Sequence, residues 1–503
     1  MTPSAADRQP VGLFWFRDDL RLADNQALTA LADWAADHSG VVVGLFIHED
    51  PDATTIRPLG GASRWWQRAS LDALRQALSA FDVPLIELAG DPRTVVRDVV
   101  DRLGAAAVSW SRRYHKPFID VDTTVKEQLK NQGVEVHSFP GYLLTEPWEV
   151  RTNSDTAYKV YTPFSKAAGA LVNEMWQPPL PVPEHLVGPG ADASEINGVK
   201  LGSLGADVSC QSTDEPPQWA TKILQYWTPG EEGAAARLAE FRHELGGQPG
   251  YDEGRDFPAT PVTSRLSPHL RFGEISPRSV WAAAAEEARD FPQDVETFHK
   301  ELLWRDFAWH RLHEHPDLAT RNVRQEFDAF PWAWPGEDNG STSASVDEAV
   351  QAWKTGRTGI PIVDAGMREL WETGTMHNRV RMIVGSLLTK NLGVHWQVGE
   401  RWFWDTLVDA DFASNPFNWQ WVAGCGDDAS PYFRIFNPET QQKKFDADQK
   451  YISTWVPEAA LGPLSGDYPP PIVDLKESRA EALEAYQLMK DTAAQQNAAV
   501  IPP

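Results

Sequence analysis

The sequence predicts an α/β N-terminal domain with a parallel, Rossmann-like sheet, followed by an all-α C-terminal domain. Three observations carry this. Short unbroken apolar runs alternate with helical spacing over residues 10–140. A stretch rich in Pro and Gly follows, and residues 141–218 read as an interdomain linker. Beyond Trp219 the apolar spacing is helical, which makes residues 219–490 a second domain.

The elements follow in order. Val11–Phe16 ("VGLFWF"), Val41–Ile47 ("VVVGLFI") and Ala105–Trp110 ("AAAVSW") have the length and composition of buried strands. Between the second and third, Leu71, Leu74, Leu78 and Phe81 repeat at helical spacing. Strands that alternate with helices imply a parallel sheet with both faces covered. No GxGxxG follows Val11–Phe16, so this sheet need not hold the main cofactor. "QPPLPVPEHLVGPG" and "GADVSCQSTDEPPQ" are the most biased parts of the linker. No internal repeat interrupts the helical part.

Bulk properties narrow the function. The 503 residues carry a formal charge of -25, which argues against indiscriminate adhesion to nucleic acid or anionic membrane. DNA is still a possible partner, because phosphate binding needs only a local basic surface. No apolar run reaches 18 residues, and the N-terminus lacks the pattern of a secretory signal. Two cysteines, Cys210 and Cys425, make neither a disulfide framework nor a metal cluster, and a cytoplasmic protein is expected. Tryptophan is abundant at 22 residues, which suits core packing, stacking on flat ligands or electron transfer.

Four stretches could carry chemistry. In "TSRLSPHL", Ser267 before Pro268 is a helix start, with Thr263 and Ser264 close by. This fits either an ordinary capped helix or an anion site. In "ELLWRDF", Glu301, Trp304 and Arg305 share a helix face, as a solvated ion pair or as a seat for a flat polar ring. In "TMHNRVRMIVGSLLTKNL", Val380, Ile383, Val384, Leu387, Leu388 and Leu392 form an apolar helical stripe. Asn378, Arg381, Met382 and Gly385 lie on a neighbouring face. The block Asp409–Pro438 sets Asp409, Asp411 and Asn415 ahead of Trp419 and Trp421.

Each stretch is ambiguous alone, but the set is not. "WFRDDLRLADN", "YDEGRDFPATPVTSRLSPHLRFGEISPR", "ELLWRDF", "GRTGIPIVDAGMREL", "MHNRVRM" and the Asp409–Pro438 block together resemble the photolyase/cryptochrome family, close to its class I cyclobutane pyrimidine dimer photolyases. The resemblance spans Val11 to about Lys490. It implies a helical C-terminal domain that binds FAD, and light-driven electron transfer from reduced FAD to a pyrimidine dimer flipped out of DNA. It also implies a monomer.

The resemblance assigns roles to residues. Tyr251, Thr263, Ser264, Leu266 and Ser267 match the phosphate-binding segment. Arg305, Arg381, Asp409 and Asp411 match positions lining the flavin, with Arg381 and Asp409 as an ion pair. Asn415 matches the residue near flavin N5, where a neutral amide favours the anionic reduced form. Glu301, Trp304, Asn378, Met382 and Trp421 would form the dimer pocket, with Glu301 also at the cofactor. Glu301 would be a buried, protonated donor. Trp332, Trp396 and Trp419 match an electron-transfer triad, with Trp334 close to the first. Arg379, Lys443 and Lys444 would meet the DNA backbone.

Two departures matter. Thr375 stands where many relatives have an aromatic residue. "WSRRYHKPFID" lacks the acid that folate-binding relatives carry after the Tyr, so a folate antenna (methenyltetrahydrofolate), 8-hydroxy-5-deazaflavin or no antenna all stay open. The alternatives are a cryptochrome-type photoreceptor, a (6-4) photoproduct lyase and a flavin reductase. Asn415, where plant-type cryptochromes usually have Asp, argues against the first. The absence of His at positions 378 and 382 argues against the second. Only the low net basicity supports the third.

Overall fold

The computed structural model describes residues 9–190, 194–204, 218–336, 343–429, 431–432, 434–460 and 468–500. Cys210 lies outside these residues. Five parallel strands form one sheet in the order β3-β2-β1-β4-β5: β1 (Val11–Phe16), β2 (Val41–Glu49), β3 (Leu85–Gly90), β4 (Ala105–Ser111) and β5 (Glu135–Phe139).

The period-2 pleat explains why β1 is apolar at every position. Val11, Leu13 and Trp15 face Val96, Val99 and Leu103 of helix α3 (Pro92–Leu103) and Val121, Val125 and Leu129 of α4 (Lys116–Asn131). Phe14 and Phe16 face the other side, against Leu28 and Leu31 of α1 (Gln26–Asp37) and Trp66, Leu71 and Leu74 of α2 (Gly61–Ser79). Phe81 falls outside the helix expected to include it: α2 ends at Ser79, and Phe81 sits in the turn that leads to β3.

Within 141–218, residues Tyr161–Glu174 form helix α5, which packs on α6 (Pro292–Glu314) of the helical part. A short antiparallel pair, Glu195–Ile196 with Val199–Lys200, packs instead on the sheet side, with Ile196 in the same apolar cluster as β1.

The helical part encloses the largest core. The helices that frame its centre are α7 (Pro361–Thr373), α8 (Asn378–Ser386), α9 (Trp396–Thr406), α10 (Ser414–Ala423) and α11 (Pro438–Phe445). Helix α8 continues as a π-helical turn, Leu387–Asn391. Val380, Ile383, Val384, Leu387 and Leu388 are fully buried, and Leu392 is half-buried at the end of the stripe. Among the described residues, no helix is long and apolar enough to cross a membrane.

Candidate functional site

The site is built where α6, α8 and α10 converge with the segment before residue 270. Asp409 is its electrostatic centre. Its Oδ2 accepts from Arg381 Nη2 at 2.8 Å and from Ser267 Oγ at 2.7 Å. Its Oδ1 is buried without a partner. Arg381 is held from behind by the Met376 carbonyl at 2.7 Å and by Thr375 Oγ1 at 3.3 Å. Thr375 therefore supplies a hydroxyl that helps hold Arg381.

Ser267 does not act as the helix cap expected of it. The helix Ser267–Arg271 starts without a side-chain cap, because the hydroxyl is committed to the Asp409 carboxylate. A charged acceptor makes the stronger hydrogen bond. Thr263 and Ser264 are half-buried, and Arg265 between Ser264 and Leu266 has left-handed backbone, φ 52. Leu266 is buried in the core, as is Tyr251.

Asp411 caps α10: its Oδ1 accepts from Ala413 N–H at 2.8 Å and from Ser414 N–H. At the second position of that helix, Asn415 is buried and donates through Nδ2 to Glu400 Oε1 at 2.8 Å and to the Glu400 carbonyl at 3.1 Å. Two positions along a helix are about 200° apart. That is why Trp419 enters the core, against Phe403 and the backbone of Gly399, while Trp421 stays half-buried. Gly399 of α9 permits this approach, since a Cβ there would collide with the Trp419 ring; at Gly385 of α8 a Cβ would only touch it, at 3.6 Å.

On α6, Trp304 stacks on Tyr161 of α5 at 3.6 Å and 6° and reaches Phe417 of α10. Arg305 turns the other way, to the carbonyls of Tyr142 and Leu270 at 2.8 and 3.3 Å, over the Tyr142 ring. Glu301 is not the buried acid expected. Its side chain is 31% exposed and is paired with Arg255 at 2.6 Å.

Asn378 is exposed and Met382 half-buried, at i and i+4 on one face of α8. Arg379 is not the free rim cation expected. It pairs with Asp256 at 2.6 Å and lies over the Phe445 ring at 4.6 Å. Lys443 and Lys444 are exposed in the last turn of α11, with Lys444 over the opposite partner of that contact, the same Phe445 ring.

Trp396 is fully buried and donates to Asn322 at 2.8 Å. Trp332 is half-buried, and His395 lies between the two, 5.2 Å from Trp332 and 5.5 Å from Trp396. Trp334 also stacks on His395, at 4.2 Å. In the N-terminal domain, Tyr114 donates to Glu146 at 2.9 Å and Arg112 pairs with it at 2.7 Å. Glu146 thus stands beside Tyr114 from 32 residues away in sequence.

Arg255, Asp256, Tyr161, Glu400 and His395 were not singled out from sequence. Arg255 and Asp256 lie inside the quoted "YDEGRDF" motif, where charged residues next to an aromatic were the available signal.

Residues 12–184 match the family described as DNA photolyase, and residues 298–465 match the FAD binding domain of DNA photolyase. The chain is 42% identical to a deoxyribodipyrimidine photo-lyase of Agrobacterium fabrum, over 95% of this chain and 98% of that one. Among solved structures, a bacterial class III photolyase from Agrobacterium tumefaciens is 42% identical, covers 97% of this chain and 99% of its own, and superposes with a TM-score of 0.83. An archaeal photolyase from Sulfolobus tokodaii with two FAD molecules is 29% identical, with coverages of 95% and 99% and a TM-score of 0.73.

Proposed function

Since the chain belongs to the photolyase/cryptochrome family, we propose that it binds FAD and uses light to return cyclobutane pyrimidine dimers in DNA to monomers. What supports this is the set of side chains carried by α6 and α8, which both pack on α10, and by α10 itself. Arg381 and Asp409 are ion-paired at 2.8 Å, and Asn415 is buried on α10. Trp304 on α6, Trp421 on α10, and Asn378 and Met382 on α8 are half-buried or exposed. The first group suits a flavin and the second suits a pyrimidine dimer removed from its stack.

The residues present fit FAD. The unpartnered Asp409 Oδ1 is an acceptor awaiting a donor. The half-buried Thr263 and Ser264 hydroxyls fit phosphate oxygens, and the Ser267 hydroxyl joins them only by leaving Asp409. Tyr251 and Leu266, both buried, and Arg305 and Asp411 are the further residues proposed to meet FAD. Bound FAD, reduced and excited by light, supplies the electron for dimer splitting.

The protein's own residues bind and orient. Trp304, preorganised by its stack on Tyr161, offers a rigid face to a flipped-out pyrimidine dimer, a contact worth roughly 1–3 kcal/mol. Asn378 offers a donor and an acceptor to the pyrimidine edges. Glu301 is held by Arg255, so it hydrogen-bonds the lesion only as that pair rearranges. Trp419, Trp396 and Trp332 offer a route by which oxidised flavin is reset.

Identity at 42% to a chain described as class III supports that branch over the class I assignment suggested by the motifs. The test is a titration in the dark with three otherwise identical duplexes, carrying a cyclobutane dimer, a (6-4) photoproduct or no lesion. Selective affinity for the cyclobutane dimer is expected. Equal affinity for all three would contradict the reading.

A further inference from the structure

Arg57 lies outside every motif described above in sequence. It belongs to the α/β domain, in the loop before α2, yet its guanidinium forks onto Glu400 of α9. The contacts are Nη1–Oε1 at 2.6 Å and Nη2–Oε2 at 3.1 Å, across 343 residues of sequence. The guanidinium also lies over the Trp404 ring at 4.1 Å, and Trp404 Nε1 donates to the Pro58 carbonyl at 2.9 Å. The loop is clamped at both levels. A two-pronged arginine–carboxylate pair fixes orientation as well as charge.

Glu400 is the residue that holds Asn415. Its side chain is 1% exposed, and its Oε1 is shared between Arg57 and Asn415 Nδ2. Both hydrogen bonds of the Asn415 amide nitrogen go to Glu400, one to the side chain and one to the carbonyl. A flipped amide would set Oδ1 against two acceptors. Asn415 is thereby locked with Oδ1 turned away from Glu400. The charged and polar groups acting on Glu400 are Arg57, Asn415 and Arg401 beside it on α9. Burial pushes its carboxyl above the usual range, and these groups pull it back.

We infer that Arg57 is a positioning residue for the flavin site: it neutralises and orients Glu400, and through Glu400 it fixes the Asn415 amide. The inference rests on reading Asn415 as the flavin-facing amide. It makes the α/β domain part of the redox tuning of the helical domain. A buried carboxylate without its cation opposes electron uptake by a neighbouring group. Arg57→Gln should then move the flavin midpoint potential to more negative values, and the shift should grow as pH rises and Glu400 stays ionised.

The experiment is a spectroelectrochemical titration of the FAD-loaded full chain, over a pH series, alongside thermal unfolding. Arg57→Lys keeps the charge but loses the fork, so a smaller shift in the same direction is expected. If Arg57→Gln does not fold, this variant carries the comparison. In a Glu400→Gln background either Arg57 substitution should leave the potential unmoved. A wild-type potential in Arg57→Gln, or a shift that persists in the Glu400→Gln background, would overturn the inference. Asn415→Ala separates the two layers. If it leaves the potential unchanged, the reading of Asn415 fails. If it shifts the potential while the Arg57 variants do not, only the role of Arg57 fails.

Discussion

Trp419 shows how one side chain serves both packing and chemistry. It is buried against Phe403, Trp353 and the Gly399 backbone, and it sits one turn beyond Asn415 on α10. Trp419→Phe should abolish photoreduction of oxidised flavin yet leave repair by chemically reduced protein intact. Absorbance under illumination, followed by a repair assay after dithionite, checks both halves. The smaller ring should also cost roughly 1–2 kcal/mol of stability through the cavity it leaves. The residue types at the site were legible in the sequence, because Asp, Asn, Arg and Trp in those motifs have few structural uses together. Their partners were not. Arg255 reaches Glu301 across 46 residues, and Asp256 reaches Arg379 across 123. Pairing at that range is set by how helices pack, which local spacing does not encode. Both pairs changed the chemistry expected: Glu301 is held by an ion pair and Arg379 is already neutralised.

At the scale of elements, α10 and the π-helical turn after α8 are the critical pieces. Asp411 caps α10 through two N–H groups, so Asp411→Ala should lower stability by about 1 kcal/mol and loosen Asn415 with it. Thermal unfolding with flavin-release fluorescence would read both effects. The π-helical turn buries Lys390, whose ammonium, among the described residues, donates to the carbonyls of Tyr432 and Arg434, both at 3.2 Å, and lies over the Tyr432 ring. Burial lowers its pKa from 10.5 to about 7. Between those values the unfolded chain binds a proton that the folded chain does not. Stability contributed by this group therefore rises with pH over that window, by at most about 1.4 kcal/mol per unit. Relative to Lys390→Met, the wild type should gain stability from pH 7 towards 10, measured by denaturant unfolding of both proteins. Strands β1, β2 and β4 were legible as apolar runs because neighbours cover them on both edges. Strands β3 and β5 were not, since each is an edge strand with polar residues, "LIELAG" and "EVHSF", and pairs on one side only.

For the whole molecule, the charge of -25 means that DNA must be met by a small basic area within a repelling surface. Lys443 and Lys444 are exposed at the end of α11 and are proposed to supply it, whereas Arg379 is paired with Asp256. Replacing Lys443 or Lys444 with Gln should lower the slope of log K against log salt by roughly one unit each, for damaged and undamaged DNA alike. Arg379→Gln should change that slope little. Fluorescence titrations over a salt series distinguish these outcomes. The domain order and helical class were legible because they depend on composition and periodicity. The junction was not, because contacts such as Arg57–Glu400 and α5–α6 join segments that look independent in sequence. The central claim is repair, and its most direct measurement is the fate of a dimer. The fully reduced, FAD-loaded protein is illuminated with blue light in the presence of an oligonucleotide bearing one cyclobutane dimer, and product is counted by chromatography. The account predicts loss of dimer and recovery of the two monomeric pyrimidines, with no change in a dark control. Dimer that remains intact after illumination, although bound, would contradict it.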